Sequence, residues 1–186
     1  MMYLSKGELT RSRKTGLDYV SLSGCVYALG PKMAGLWNRA RLAPQLVPEG
    51  REQAIKRMEN SGLVVTTEET GMLAAYRLLS GCVLCPNSKR WTDRFLSKPV
   101  RRIWQWLNEA GLRLTASELT RLEERRIQPT PALLGEDGRQ RLTEMIYLAE
   151  TIPDGILETQ MEHSAARDDV VGALLELLRT RRLLLI

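Results

Sequence analysis

The segment Ala54–Thr67, AIKRMENSGLVVTT, carries the clearest sequence signal for local structure in this chain. Ala54, Ile55 and Met58 recur at helical spacing, and Gly62 is the kind of residue that commonly ends a helix. The apolar run 63–67 that follows the glycine is typical of a short strand. We therefore predict a helix over 51–61, a glycine stop and a strand. This combination indicates an α+β fold, mainly helical.

The flanking sequence predicts further helices on both sides of this segment. Residues 1–15 are interpreted as a mobile arm or a first helix, and the proline- and glycine-containing stretch 44–50 as a turn-rich connection. Thr115 and Glu118 have the spacing of a capping box. The apolar pattern predicts helices over 17–29, 31–40, 70–83, 100–110, 116–126 and 138–149 and from 164 onward, a strand over 156–161, and a terminal strand or helical turn over 183–186.

The polar stretch 87–99 is interpreted as a join between two halves, because prolines stand at both of its ends. We expect a winged-helix-like half over 1–86 and a helix-rich half with short strands over 87–186, packed around the final helix, or a single compact domain. Residues 104–115 repeat the helix, glycine and extended pattern of 55–66. This recurrence is either a duplication or a common solution for joining a helix to a strand.

Composition limits the class of protein. The chain has 186 residues, of which 44% are hydrophobic and 26% charged, as in an ordinary globular protein. It contains no run of eighteen apolar residues, so no transmembrane helix is expected. Its first residues lack the apolar region of a secretory signal, which favours a cytoplasmic location.

Charge is distributed unevenly along the chain. Residues 1–93 carry 13 basic and 8 acidic side chains, whereas 144–176 carry eight acids and only Arg167 as a base. A basic region suits phosphate, an acidic partner surface or simple solubility. The sequence leaves these three interpretations open.

The helix-Gly-Leu-Val pattern resembles winged-helix domains, a superfamily in which a recognition helix ends in this way and leads into the wing. The resemblance covers 31–70 and implies a non-enzymatic DNA-binding protein, for example a transcriptional regulator. It implies that Arg51, Lys56 and Arg57 lie near DNA phosphates or base edges. Winged-helix domains have a middle helix where this chain has only the seven residues 44–50. A short helix there would favour DNA binding, and an irregular loop would favour a protein-binding adaptor.

The same pattern, with the following helix that ends at Leu79-Ser80-Gly81, is also similar to the secretion chaperones of ESX (type VII) systems. Those α+β proteins bind helical-hairpin substrates and have no active site. This resemblance implies the alternative function, a protein-binding adaptor or secretion-type chaperone with no nucleic-acid contact.

A basic and aromatic strip over 89–106 is the sharpest local feature of the second half. Cations neutralise phosphates and aromatic rings stack on bases, so the strip is a candidate nucleic-acid or partner surface. On a helix from Pro99, however, Ile103, Trp106 and Leu107 would face the core. The candidate phosphate contacts are Lys89, Arg90, Arg101 and Arg102, and the candidate partner contacts are Trp91, Phe95, Trp104 and Trp106.

The final helix carries more apolar residues than a single stripe requires. It is interpreted as a central core helix, with a homodimer or partner surface as the alternative.

No catalytic arrangement, metal site or cofactor motif is expected. Cys82 and Cys85 form a C-x-x-C pair, but no second pair completes a zinc site, so zinc or redox chemistry is weighed against two small buried residues. His163 has no marked nucleophile partner, and neither glycine-rich phosphate-binding motif occurs.

Overall fold

The computed structural model describes residues 1–11, 17–87, 96–110, 113–147 and 156–186. Within these residues the chain forms nine α-helices, a short 3-10 helix and eight strands, so the predicted α+β class is confirmed. The chain divides into unit 1, Met1–Cys82 with Leu184–Ile186, and unit 2, Val83–Leu183. None of the described helices is long and apolar enough to cross a bilayer.

Unit 1 combines three helices with two antiparallel sheets. Its elements are β1 (Met2–Ser5), β2 (Glu8–Arg11), β3 (Asp18–Leu22), β4 (Cys25–Leu29), α1 (Pro31–Arg39), β5 (Gln45–Leu46), α2 (Glu52–Asn60), β6 (Val64–Thr67) and α3 (Gly71–Ser80). One sheet has the order β5-β1-β6, and Tyr3 in the central strand is opposite Gln45 and Thr66. The other sheet is the meander β2-β3-β4.

Strands replace the helices predicted for the first 29 residues. The arm or helix expected over 1–15 is wrong for its described part, which forms β1 and β2. The helix predicted over 17–29 is the hairpin β3–β4, in which Val20 pairs with Tyr27. Ser23 and Gly24 have φ of 49° and 85°, the left-handed pair that closes a two-residue hairpin turn. This turn reverses the chain, so the apparent helical spacing across it is coincidental.

The segment Ala54–Thr67 folds as predicted. The Gly62 amide donates to the Glu59 carbonyl at 2.8 Å, and the Leu63 amide donates to the Met58 carbonyl at 2.8 Å. These two hydrogen bonds form a Schellman motif. Gly62, with a φ of 71°, is the left-handed residue that the motif requires. Helix α2 therefore ends at the predicted glycine, and β6 follows it directly.

The connection between α1 and α2 contains a two-residue strand and no helix. Leu46 in β5 is opposite Met2, and the Val47 amide donates to the Met1 carbonyl at 3.2 Å. Prolines at 44 and 48 and the bonds to β1 hold this segment extended. The middle helix that a winged-helix arrangement requires is absent from this segment, so that arrangement is not confirmed.

Strand β1 fixes the end of α1 through hydrogen bonds. The Tyr3 hydroxyl donates to the Leu36 carbonyl at 3.0 Å, and Ser5 Oγ donates to the Trp37 carbonyl at 2.8 Å. The Ser5 amide donates to the Ala40 carbonyl at 3.0 Å. The last carbonyls of a helix have no partner inside it, so β1 supplies the partners. The buried core of this region consists of Tyr3, Val20, Leu29, Ala34, Leu36, Trp37, Ala40, Ile55, Met58, Leu63 and Val64.

Unit 2 is mainly helical. Its elements are β7 (Leu84–Pro86), α4 (Lys98–Glu109), α5 (Ala116–Glu124), α6 (Pro131–Leu134), α7 (Arg139–Tyr147), α8 (Ile156–Met161) and α9 (Arg167–Arg179). The C-terminal strand β8 (Leu183–Leu185) includes the last residue of unit 2 and the first two of the C-terminal segment of unit 1. Helix α4 packs on α9, and α5 contacts α7, α8 and α9.

The predicted capping box at the start of α5 is confirmed. The Glu118 amide donates to Thr115 Oγ1 at 3.2 Å, and the Thr115 amide donates to Glu118 Oε2 at 2.6 Å.

Two predictions for the second half have clear outcomes. The strand predicted over 156–161 is wrong, because these residues form α8 with Leu157 and Met161 buried one helical turn apart. The apolar residues of α9 are buried within the chain, as expected of a core helix: Val170, Val171, Ala173, Leu174, Leu175, Leu177 and Leu178. The repeated glycine at position 111 lies outside the described residues.

Replacing the anchoring hydroxyls should weaken the fold. We expect Tyr3→Phe and Ser5→Ala each to lower the free energy of unfolding by about 1 kcal/mol, because a buried carbonyl loses its partner. Ser61→Ala is the matched control, since its hydroxyl donates to the Arg57 carbonyl in an exposed position where water can replace it. Denaturant titration measures all three variants. Equal losses in Ser5→Ala and Ser61→Ala would contradict the anchoring role.

Candidate functional site

The three cations predicted on the recognition helix do not form one cluster. Arg51 immediately precedes α2, and Lys56 and Arg57 are exposed on the helix itself. Successive helix residues are rotated by about 100°, so Lys56 and Arg57 project from different sides. Of the three, Arg51 lines an open depression of the surface.

A tight turn sets the position of Arg51. The Arg51 amide donates to the Pro48 carbonyl at 3.0 Å across Gly50, whose φ is 70°. The Arg51 carbonyl then accepts the amide hydrogen of Ile55 at 3.0 Å, the first bond of α2. The turn and the helix start together place Arg51 beside α1.

Arg51 and one face of α1 enclose an open depression of about 270 Å³. We call it the basic depression; it is lined by Pro31, Lys32, Gly35, Leu36, Arg39 and Arg51. The lining residues 32, 35, 36 and 39 follow the helical spacing of a single face. Sequence reasoning missed Lys32 and Arg39, and this spacing was the signal that could have identified them.

The basic depression carries unbalanced positive charge. None of Lys32, Arg39 and Arg51 forms an ion pair with a carboxylate in the described part of the chain, and no acid lines the depression. The neighbouring carboxylate of Glu52 accepts a hydrogen bond from the Gly50 amide at 3.2 Å. Such a concavity suits an oxyanion.

The pKa of Tyr3 reflects the same field. Burial raises the pKa of the Tyr3 phenol, and the positive charge of Arg39 opposes that rise. The phenol donates to the carbonyl of Leu36, a residue that also lines the basic depression.

The basic and aromatic strip is not a continuous surface in its described part. Lys89, Arg90, Trp91 and Phe95 lie outside the described residues. The predicted partner contacts Trp104 and Trp106 are both buried, because α4 packs them into the interior of unit 2. The prediction that these two tryptophans contact a partner at the surface is therefore wrong: both are core residues.

The two arginines of the strip differ in their surroundings. Arg101 is exposed, and its Nη2 donates to the Leu96 carbonyl at 3.4 Å. Arg102 makes a two-point contact with the Glu123 carboxylate, in which Nε donates to Oε1 at 2.6 Å. That carboxylate balances the charge of Arg102. A depression of about 310 Å³ around this pair also contains Arg126 and Asp169, so its charges balance overall.

Both cysteines of the C-x-x-C pair are free thiols. Cys82 is buried, its Sγ donates to the Leu78 carbonyl at 3.1 Å, and burial raises its pKa to about 12. Burial also raises the pKa of Cys85, whereas Cys25 is exposed. No group of three His, Cys, Asp or Glu side chains suited to a metal ion occurs in the described parts of the chain.

The outer face of the meander also contains an open concavity. A depression of about 290 Å³ is lined by Thr10, Tyr19, Ser21 and Val26, and its surface is mainly apolar. Val26, on the edge strand β4, is 66% exposed. Its side chain is among the most exposed large apolar groups of the described residues.

Comparisons with protein-family models, curated proteins and solved structures found no match to this chain.

Thiol labelling should distinguish the three cysteines. At pH 8 we expect Cys25 to react quickly with a thiol reagent and Cys82 to react about a thousandfold more slowly, because raising its pKa to about 12 leaves little thiolate. Peptide mass spectrometry over time measures each rate, and labelling in denaturant is the control in which the rates converge. Fast labelling of Cys82 in the folded chain would contradict its burial.

Proposed function

We propose that the chain is a non-enzymatic DNA-binding protein whose unit 1 contacts the phosphate backbone through the basic depression. The observation that supports this proposal is the convergence of Lys32, Arg39 and Arg51 on one concavity without a balancing carboxylate. A cation that is already paired with a carboxylate, such as Arg102, attracts a phosphate more weakly because the carboxylate repels it.

Coulomb energies favour the cluster over isolated surface cations. One pair of unit charges at 4 Å is worth about 1 kcal/mol in bulk water and about 4 kcal/mol near a protein surface. Three cations around one phosphate therefore contribute much more than Lys56 or Arg57 alone. Lys56 also shares its flank of α2 with Glu52 and Glu59, which weakens its field.

The proposed mode of binding is recognition of the backbone. Without a helix between α1 and α2, no helix-turn-helix presents α2 to the major groove, and phosphate contacts carry no sequence information by themselves. The basic depression would hold one phosphate, and Lys56 and Arg57 would add outer contacts. A role in transcription regulation stays a prediction.

Binding to a mixed-sequence duplex should depend strongly on salt. In fluorescence anisotropy, we expect the triple variant Lys32→Gln, Arg39→Gln, Arg51→Gln to bind more weakly, because fewer phosphate charges are neutralised. The slope of log affinity against log salt should become shallower by roughly 0.9, the value for one duplex phosphate that is no longer neutralised. Lys56→Gln with Arg57→Gln should have a smaller effect.

The matched control removes the same charge from unit 2. The variant Lys98→Gln, Arg141→Gln, Arg179→Gln changes three exposed cations on three different helices. Its salt slope should stay near that of the parent chain. An equal weakening in both triple variants would show attraction by net charge alone, and no binding at low salt would refute the proposal.

A second candidate, a protein-binding adaptor, is favoured by the extended segment 44–50 and by the exposed edge of the meander. Among the described strands, β4 pairs with β3 alone, and Cys25, Val26 and Ala28 are exposed. Edge strands are templates for the addition of an extended segment from another protein. In this alternative, that segment would pair with β4, and its side chains would contact Tyr19 and Val26.

Peptides selected against the chain from a random display library test the adaptor. We expect their binding to be abolished in Val26→Lys, because a charge would enter the apolar depression. Leu46→Lys is the matched control, since Leu46 is 68% exposed and Val26 66%. Peptides that bind both variants equally would refute this candidate.

A further inference from the structure

The basic depression contains a glycine that α1 does not need for its own packing. Gly35 lies in the middle of the helix, where glycine is less stabilising than alanine. A Cβ atom at position 35 would meet no heavy atom within 4 Å. Neither the helix nor the core therefore requires glycine here.

Glycine in such a position allows a ligand to approach the helix backbone closely. Lys32 and Arg39 stand on either side of Gly35 along the same helix face, and Arg51 reaches the depression from the start of α2. A Cβ atom at position 35 would project into the space that these three cations surround. The exposed helix backbone at Gly35 and the three cations could thus contact the same ligand.

We infer that the basic depression binds the terminal phosphate monoester of a nucleic-acid strand in preference to an internal phosphodiester. This inference rests on the proposed function. An internal phosphodiester carries a single negative charge, whereas a monoester carries about −1.5 to −2 at pH 7 and presents three acceptor oxygens. Lys32, Arg39 and Arg51 supply three positive charges, which balance the monoester better.

The donor types fit the same ligand. The guanidinium groups of Arg39 and Arg51 can each donate two parallel hydrogen bonds to phosphate oxygens, and the Lys32 ammonium is a compact charge. Three acceptor oxygens meet these donors more fully than the two non-bridging oxygens of a phosphodiester.

The test compares oligonucleotides that differ only at their ends. An internally labelled single strand is prepared with a 5′-phosphate, with a 3′-phosphate and with neither, and binding to the full chain is measured by fluorescence anisotropy. A fourth strand without a terminal phosphate is two nucleotides longer, so it adds two charges as internal diesters. We expect a terminal phosphate to tighten binding by about tenfold, and the longer strand to gain little.

Two glycine variants separate the site from general effects on stability. Gly35→Ala should raise the melting temperature of the chain and abolish the preference for a terminal phosphate, because its methyl group fills the floor. Gly172→Ala is the matched control: Gly172 lies within α9, it is exposed, and a Cβ atom there also meets nothing within 4 Å. It should raise the melting temperature and leave the preference unchanged. Arg39→Gln should also remove the preference.

The outcomes distinguish the inference from the proposed function. A preference for either phosphorylated end that disappears in Gly35→Ala and persists in Gly172→Ala supports the inference. Equal binding of all strands, or a preference that survives Gly35→Ala, overturns the inference and leaves backbone binding intact. No binding of any single strand overturns the inference, and only the absence of duplex binding at low salt overturns the proposed function as well.

Discussion

The hydrogen bonds between β1 and the C-terminal end of α1 are the constraint on which the rest of unit 1 depends. Tyr3 and Ser5 lie two residues apart, on the same face of β1, and this strand pairs with β5 on one side and β6 on the other. Their hydroxyls satisfy the Leu36 and Trp37 carbonyls, and the Trp37 indole in turn donates to the Lys6 carbonyl at 3.0 Å. This reciprocal contact fixes both the position of α1 and its rotation about its axis.

That rotation determines which face of α1 is solvated. With Ala34 and Trp37 turned into the core, the opposite side carries Lys32, Gly35 and Arg39. The same β1 strand holds the segment 45–47 extended, and the following turn delivers Arg51 to this face. Strand pairing and helix docking thus bring the three positive side chains of the basic depression together.

Local sequence signals identified the elements whose ends are encoded locally. Helix α2 and strand β6 were predictable because Gly62 forms a complete C-terminal cap, and α5 because Thr115 and Glu118 cap its start. The hairpin β3–β4 was missed because Tyr19, Leu22, Val26 and Leu29 fall at helical spacing by chance, while the turn is specified only by Ser23 and Gly24. Helix α8 was missed because six residues are too few to establish a period.

The site was only partly predictable, because it depends on tertiary contacts. Arg51 was predicted as a DNA contact on the polar face of the helix over 51–61, as the winged-helix resemblance implies, whereas Lys32 and Arg39 come to line the depression because α1 docks beside the turn before α2. For Trp104 and Trp106, the aromatic and basic pattern suggested a surface. On α4, however, the same residues extend the buried face that begins with Val100 and Ile103. Composition alone does not separate a stacking surface from a core helix with flanking arginines.

Phosphate binding at the basic depression can be tested by NMR, by mapping backbone amide chemical shifts while the full chain is titrated with a DNA duplex. We expect the largest changes at Lys32, Gly35, Arg39 and Arg51, with smaller changes at Lys56 and Arg57. Changes concentrated on β4 or on unit 2, with the basic depression unaffected, would contradict it.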